Sequence, residues 1–201
     1  MKGLTLHQPW ATLVAIGEKG IETRSWATSY RGELAIHAGK AFAREYQIMS
    51  LDPPFYRPLL DAGFIVQETT TVRRLALPRG AIVAVAELRR CIPVEWIWFG
   101  LRGVTRWPTH PGDWMATPRE RLYGDYSPGR FGWLLFNVRR LPEPIPCRGA
   151  QGLWEVPAEI VAEIDRQLGN CDIGGCHLRL PPCDDEFCPH WKDNRKENAD
   201  G

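Results

Sequence analysis

Short apolar segments bounded by glycine recur through most of the chain, and few long helical segments separate them. Residues 34–37 and 81–88 combine β-branched and apolar side chains, which is typical of strands, and residues 131–138 and 152–156 follow the same pattern. A doubly wound parallel sheet needs strands that alternate with long helices, so this pattern disfavours it. The sequence predicts an α+β fold with one mixed β-barrel and peripheral helices.

Helices are predicted at three places. A short helix follows Pro9, because proline is favoured in a first helical turn and apolar residues then recur at helical spacing. A second helical stretch begins near Ala41, is broken by a Pro-Pro pair and resumes over residues 56–62. Pro157 starts a closing helix over Ala158–Leu168, which presents apolar residues on one face.

The chain of 201 residues is long enough for one substantial core, so one main domain is expected over residues 1–168. Within it, residues 92–129 mix tryptophan with proline and glycine without periodicity, which predicts a long ordered loop over the barrel. After residue 168 the composition shifts to cysteine, proline, aspartate and asparagine. Residues 169–201 are therefore predicted to form a separate Cys-rich C-terminal appendage.

The charge distribution suits local recognition of an anion. Residues 1–168 carry 21 Lys and Arg against 17 Asp and Glu, whereas residues 169–201 carry 4 against 7. Of the 25 basic residues, 20 are arginine, whose planar fork binds phosphate and stacks on bases. The excess is too small for a protein that coats duplex DNA through dense phosphate neutralisation.

Two observations concern the compartment. No apolar stretch follows a basic start, so no secretory signal is expected, and no apolar run is long enough to cross a bilayer. Six cysteines without an export signal favour reduced thiols or metal ligands over a disulfide scaffold. We therefore expect a cytoplasmic protein without a membrane partner.

The most informative polar residues lie in the segment 17–24, after the first predicted helix. Side chains alternate along a strand, so Glu22 and Arg24 should share a face, and Trp26 has the same parity. A phosphate can be held by Lys19 or Arg24. Glu22 can accept hydrogen bonds from base amino groups, and Trp26 can stack on a base.

This segment resembles the hallmark of the ASCH family, Gly-x-Lys-x-x-Glu-x-Arg, whose positions are filled here by Gly17, Lys19, Glu22 and Arg24. The resemblance extends over residues 30–37, 80–88 and 131–156. It implies a PUA-like β-barrel, and a cleft beside the motif that binds RNA or a modified nucleotide. The residues then expected to contact the nucleic acid are Gln8, Lys19, Glu22, Arg24, Trp26 and His37.

An enzyme is the first alternative. Some members of the family resemble amidohydrolases of modified nucleosides, which use a Thr and a Lys of this motif, but the corresponding Thr position is Glu22 and Thr23 has the opposite parity. Others resemble ribonucleases, in which Lys19 would stabilise the phosphate and Glu22 or His37 would move a proton. As a hydrolase, the protein would have Lys19 and Glu22 as catalytic residues.

The competing structural interpretation is that Lys19, Glu22 and Arg24 form an ion-pair network that fixes the helix to the strand. His37 is then a structural histidine, and Trp26 closes the barrel. We predict instead that the three charged side chains converge on one solvent-accessible pocket, with Trp26 or Gln8 on its wall.

The C-terminal appendage places four soft ligands within 18 residues: Cys171, Cys176, Cys183 and Cys188. Four thiolates suit a closed tetrahedral zinc site, which would be structural, and His177 or His190 could replace one of them. Free or disulfide-linked thiols are the alternative. A third interpretation of function is a protein-interaction adaptor that uses this Cys-rich tail.

Overall fold

The computed structural model describes residues 1–67, 73–100 and 114–169. The predicted zinc ligands Cys171, Cys176, Cys183 and Cys188 lie outside the described residues, as does the middle of the loop predicted over residues 92–129. The strands are β1 (Lys2–Leu6), β2 (Ile21–Arg24), β3 (Gly32–Ala38), β4 (Ile65–Gln67), β5 (Arg73–Leu75), β6 (Ala81–Pro93), β7 (Ile97–Phe99), β8 (Trp114–Ala116), β9 (Phe131–Pro146) and β10 (Leu153–Glu155). The helices are α1 (Trp10–Ala15), α2 (Arg44–Met49), α3 (Tyr56–Asp61) and α4 (Ala158–Leu168).

The main sheet is mixed and curled. Its strand order is β10-β1-β3-β6-β9-β2, in which β1 and β3 run parallel and the other neighbours run antiparallel. The pairing of the long strands β6 and β9 shifts register at three points. Bulges of this kind increase the local twist and bend a strand, so the sheet curls into a half-barrel.

One part of the core lies between the main sheet and α1. Leu4, Ile36, Leu88 and Trp133 from four of its strands pack together with the apolar face of α1. On another face, Ile164 of α4 is fully buried among residues of β3, β6 and β9. Burying side chains of this size typically contributes about 1.5–3 kcal/mol each, so these contacts hold the two helices to the sheet.

The predicted elements are largely confirmed. Helices form where they were expected, and the strand predictions at residues 34–37, 81–88, 131–138 and 152–156 coincide with β3, β6, β9 and β10. The segment predicted as a loop over residues 92–129 differs, because β6 runs through Pro93 and the parallel pair β7–β8 forms within it. Strands β1, β4 and β5 were not predicted.

The described residues form no helix that is both long and apolar enough to cross a membrane.

Candidate functional site

The motif segment supplies the edge strand β2, whose side chains alternate as predicted. Ile21 and Thr23 are buried, whereas Glu22 and Arg24 point to the other face. The Arg24 Nε lies 3.1 Å from Glu22 Oε1, so the two form an ion pair on that face. The parity prediction is therefore confirmed.

Lys19 is enclosed by the protein and only 1% exposed. Its ammonium donates a hydrogen bond to the Ile21 carbonyl. Two carboxylates flank it, with Nζ 3.6 Å from Glu22 Oε2 and 4.0 Å from Glu120 Oε1. A buried lysine needs such partners, because an isolated ammonium would be too costly to desolvate. The position of Lys19 thus matches the ion-pair network that sequence analysis held as the alternative.

Glu120 comes from a 3-10 turn (Glu120–Tyr123) about a hundred residues after the motif. Its carboxylate accepts hydrogen bonds from the backbone N–H of Gly20, at 2.9 Å, and of Ile21, at 3.0 Å. Burial raises the pKa of Glu120, and the nearby Lys19 ammonium partly offsets that rise. Burial also raises the pKa of the neighbouring Tyr126 phenol, and the carboxylates of Glu120 and Glu22 add to that rise. This buried polar cluster fixes the start of β2.

Arg24 joins the two ends of the curled sheet. Its Nη2 donates a hydrogen bond of 3.0 Å to the carbonyl of Thr5 in β1. In the strand order, β2 is one edge and β1 is next to the other edge, so this bond can form only because the sheet curls. The guanidinium therefore sits where the half-barrel comes closest to closing.

A cleft of about 1100 Å³ opens beside Arg24. Its walls come from the ends of β1, β2 and β3 and from the segment between β9 and β10. The lining residues are Thr5, His7, Arg24, Trp26, His37, Gly39, Lys40, Gly80, Pro146, Cys147, Arg148, Gly149, Ala150, Gln151 and Gly152. A volume of this order lies slightly above the range of ordinary ligand pockets and exceeds the needs of a single base.

The charge of the cleft is positive. Arg24, Lys40 and Arg148 line it, and no Asp or Glu is among the described residues that do so. Lys40 and Arg148 are exposed, and neither has a carboxylate within ion-pairing distance in the described part of the chain. Cations without a carboxylate partner are available to an anionic ligand.

His37 forms an inner wall of the cleft and is only 2% exposed. Its Nε2 lies 3.0 Å from the Cys147 carbonyl, which can only accept, so Nε2 carries the proton. Burial lowers the pKa of His37, and the bond to Cys147 partly opposes this. The ring is therefore neutral near pH 7, and its edge contact with Trp154 holds it in place.

The segment 147–152 lies directly on His37 and Thr5. Thr5 Oγ1 donates a hydrogen bond to the Ala150 carbonyl and accepts one from Trp154 Nε1. A Cβ at Gly149 would lie 2.4 Å from the His37 ring and 2.6 Å from Thr5 Oγ1. Only glycine allows this close approach, which sets the position of Arg148 on the rim.

The cleft brings together three of the six predicted contact residues. Arg24, Trp26 and His37 line it, and Trp26 packs edge-on against the buried Trp133 with ring centroids 4.6 Å apart. Lys19 and Glu22 meet Arg24 but do not line the cleft. Gln8 is fully buried, where its amide bonds to the Pro78 carbonyl and to the Thr12 backbone N–H.

Four residues of the site were not predicted from the sequence: His7, Lys40, Arg148 and Glu120. Two local signals were available. His7 comes just after β1, and Lys40 comes just after β3. Because β1 and β3 are parallel neighbours, their C-terminal ends lie side by side, so both residues are expected at the same end of the sheet. Arg148 and Glu120 reach the site through contacts distant in sequence, which a local pattern does not contain.

Among the residues that the structure describes, no group of three or more His, Cys, Asp or Glu side chains could hold a metal ion. Cys91 and Cys147 are free thiols, and burial raises the pKa of Cys147. The described residues that line the cleft offer hydrogen-bonding groups, cations and aromatic rings.

A curled mixed sheet with short helices around it, and a cationic cleft where its two ends meet, define an α+β domain of the half-barrel type. The ASCH domain family model matches residues 4–145, more than half of the chain. The protein therefore belongs to the ASCH family, as the motif predicted.

Two curated relatives match a short part of the chain. Activating signal cointegrator 1 of Mus musculus and of Homo sapiens are each 54% identical over 35 residues, which is 17% of this chain and 6% of either relative. Among solved structures, a mutant ZmASCH protein from Zymomonas mobilis aligns over 82% of this chain and 96% of its own, with 13% identity and a TM-score of 0.42.

Proposed function

We propose that this protein binds single-stranded RNA, or a modified nucleotide within it, in the cleft beside Arg24. The observation that carries the proposal is the lining of the cleft, which combines Arg24, Lys40 and Arg148 with Trp26 and has no acidic residue among the described lining residues. Arginine and lysine suit phosphates, and an indole offers a face or edge to a base. Membership of the ASCH family supports the same function.

The neutral His37 and the segment 147–152 add polar backbone and ring groups to one wall. Sequence-specific recognition of RNA uses unstacked bases, whose edges such groups can contact. Duplex RNA presents its phosphates on the outside of a wide helix, and a cleft about the size of one or two nucleotides suits it less well. We therefore favour a single-stranded ligand.

Removing Arg148 is the clearest test of this function. We expect Arg148→Ala to weaken binding of a four-nucleotide single-stranded RNA by about tenfold, because one charge-assisted phosphate contact is lost. Arg148 is exposed, so the fold should be unaffected. Fluorescence anisotropy with labelled RNA measures the affinity.

The matched control is Arg166→Ala, which removes an exposed arginine of α4 that pairs with Glu163 and lies outside the cleft. It changes the net charge equally. Equal losses for both variants, or no binding by the wild-type protein, would contradict the proposal. Arg24→Ala is a poorer probe, because Arg24 also holds β2 to β1.

The hydrolase alternative centred on Lys19 and Glu22 has less support. The Lys19 ammonium is directed at the Ile21 carbonyl and two carboxylates, and neither residue lines the cleft. A catalytic group has to reach the reacting atoms of the substrate. No observation favours this reaction over binding.

A structural zinc site in the tail remains our proposal from the sequence. Residues 169–201 contain few large apolar side chains, so an ion bound by Cys171, Cys176, Cys183 and Cys188 would supply folding free energy that the segment otherwise lacks. We expect about one equivalent of zinc per chain in protein purified without chelator. Less than about half an equivalent would contradict a closed site of four thiolates. The adaptor interpretation depends on the same segment.

A further inference from the structure

A second cavity, the arginine groove, lies beside the cleft. It has a volume of about 530 Å³ and is formed by α2, β5 and the segments that follow β3 and β5. Its lining residues are Phe42, Arg44, Gln47, Ile48, Leu51, Arg73, Arg74, Leu75, Leu77 and Arg79. Four of these are arginine, and none of the described lining residues is acidic.

The groove offers both cations and an apolar floor. Arg44, Arg73 and Arg79 are exposed, and neither Arg44 nor Arg79 has a carboxylate within ion-pairing distance in the described part of the chain. Ile48 is 56% exposed, a large fraction for an isoleucine, and Phe42 beside it is partly exposed. Aromatic and apolar faces next to cations are typical of surfaces that follow a single-stranded nucleic acid.

Lys40 and Gly80 lie at the boundary between the cleft and the groove, which we call the ridge. A Cβ at Gly80 would lie 3.8 Å from the Lys40 Cβ, so the two residues are close neighbours in space. Both line the cleft, whereas Arg79 and Phe42, one and two residues away along the chain, line the groove. Consecutive Cα atoms are only about 3.8 Å apart, so the two cavities are neighbours.

The backbone of the ridge at Gly80 carries no side chain and is held by hydrogen bonds. Gly80 has a φ of +62°, a conformation that favours glycine, so no side chain stands between the cavities at this position. Its backbone N–H bonds to the Ala38 carbonyl at 2.7 Å, and its carbonyl accepts a bond from the Cys147 N–H at 3.0 Å. Lys40 then provides a cation at the point where a strand would cross.

We propose that the arginine groove binds the continuation of the RNA strand held in the cleft. The proposal rests on the proposed function and extends it. The strand leaves the cleft past Lys40, and its phosphates are bound by Arg79 and Arg44, with a base or ribose against Phe42 and Ile48. An RNA long enough to occupy both cavities should therefore bind more tightly than one that fills the cleft alone.

The experiment compares two labelled oligouridines of about 4 and about 12 nucleotides, a range that covers typical single-strand sites. For the wild-type chain we expect the 12-mer to bind at least about tenfold more tightly than the 4-mer. The double variant Arg44→Ala/Arg79→Ala should lose this gain and bind the 4-mer as the wild type does. We also expect the plot of log affinity against log salt concentration for the 12-mer to be less steep in the double variant than in the wild type, by about 1.4. Each lost phosphate contact contributes about 0.7 to this slope in single strands.

The matched control is Arg57→Ala/Arg166→Ala, which removes two exposed arginines that lie outside both cavities. If this control weakens the 12-mer as much as the groove variant does, the effect is diffuse charge and the groove proposal is overturned. The groove proposal is also overturned if the wild-type chain binds the 4-mer and the 12-mer with equal affinity while Arg148→Ala still weakens the binding of each. That result would support RNA binding in the cleft without the groove. Absence of binding by either oligouridine removes both proposals together.

Discussion

Replacing Lys19 with methionine is expected to lower the free energy of unfolding by about 3–5 kcal/mol. The ammonium is 1% exposed and lies within 4.0 Å of the Glu22 and Glu120 carboxylates. Methionine fills similar space but leaves the buried Glu120 carboxylate without its cation and Glu22 with Arg24 alone. Urea denaturation measures the change, since stability extrapolates linearly with denaturant concentration.

The matched control is Lys2→Met, which removes a partly exposed lysine that pairs with the exposed Glu155. An ion pair of that kind contributes about 0–1 kcal/mol, so the control should unfold close to the wild type. A loss for Lys19→Met no larger than for Lys2→Met would show that the buried network contributes little. The double variant Lys19→Met/Glu120→Gln should regain part of the loss, because it no longer buries the Glu120 charge.

The Lys19→Met loss should depend on pH. Burial already raises the pKa of Glu120, and removing Lys19 raises it further, since the ammonium opposes the shift. When the pKa of a carboxyl group is higher in the folded state than in the unfolded state, its protonation stabilises the folded state. This stabilisation is lost as the pH rises through the folded-state pKa. The difference in the free energy of unfolding between Lys19→Met and the wild type should therefore become smaller as the pH falls from about 8 to about 5. A constant difference would exclude Glu120 as its source.

Adding a single methyl group at Gly149 should affect both stability and binding. In Gly149→Ala the new Cβ would lie 2.4 Å from His37 and 2.6 Å from Thr5 Oγ1, so the segment 147–152 has to move away. Overpacking of this kind typically costs about 1–3 kcal/mol. Because Arg148 moves with the segment, we expect affinity for the four-nucleotide RNA to fall by about tenfold or more, as for loss of a charge-assisted contact.

Gly39→Ala is the control for this change. Gly39 lines the same cleft, but its Cβ would lie 3.4 Å from the Leu6 carbonyl oxygen and 3.6 Å from Thr5, which are ordinary contacts. Its stability should stay within about 1 kcal/mol of the wild type. If Gly149→Ala binds RNA and unfolds like Gly39→Ala, the close approach at Gly149 does not determine the shape of the cleft.

The parts of the fold that sequence analysis predicted correctly are those with local signals. Glycine-bounded β-branched segments predicted β3 and β6, and helical spacing after Pro157 predicted α4 with its exact bounds. The family motif and strand parity predicted that Glu22 and Arg24 share a face. Each of these properties depends on residues within a few positions of one another.

The site was harder to predict, because its composition depends on long-range pairing. Glu120 supplies the second carboxylate of Lys19 from a turn a hundred residues away, and without it a lysine beyond a helix stop looks available to a ligand. Arg148 reaches the rim through the bonds of its segment to β1 and β3. Burial of Lys19 and exposure of Arg148 are both results of the assembled sheet.

The bond from Arg24 to the Thr5 carbonyl has a consequence for how tightly a ligand can be held. A free arginine side chain carries about 2 kcal/mol of rotamer entropy, part of which is lost whenever it contacts a ligand. Arg24 is already immobilised by Thr5 and Glu22 when the sheet curls, yet its guanidinium has five N–H donors in all. A phosphate that enters the cleft therefore meets one preorganised cation, Arg24, and two that must still be ordered, Lys40 and Arg148.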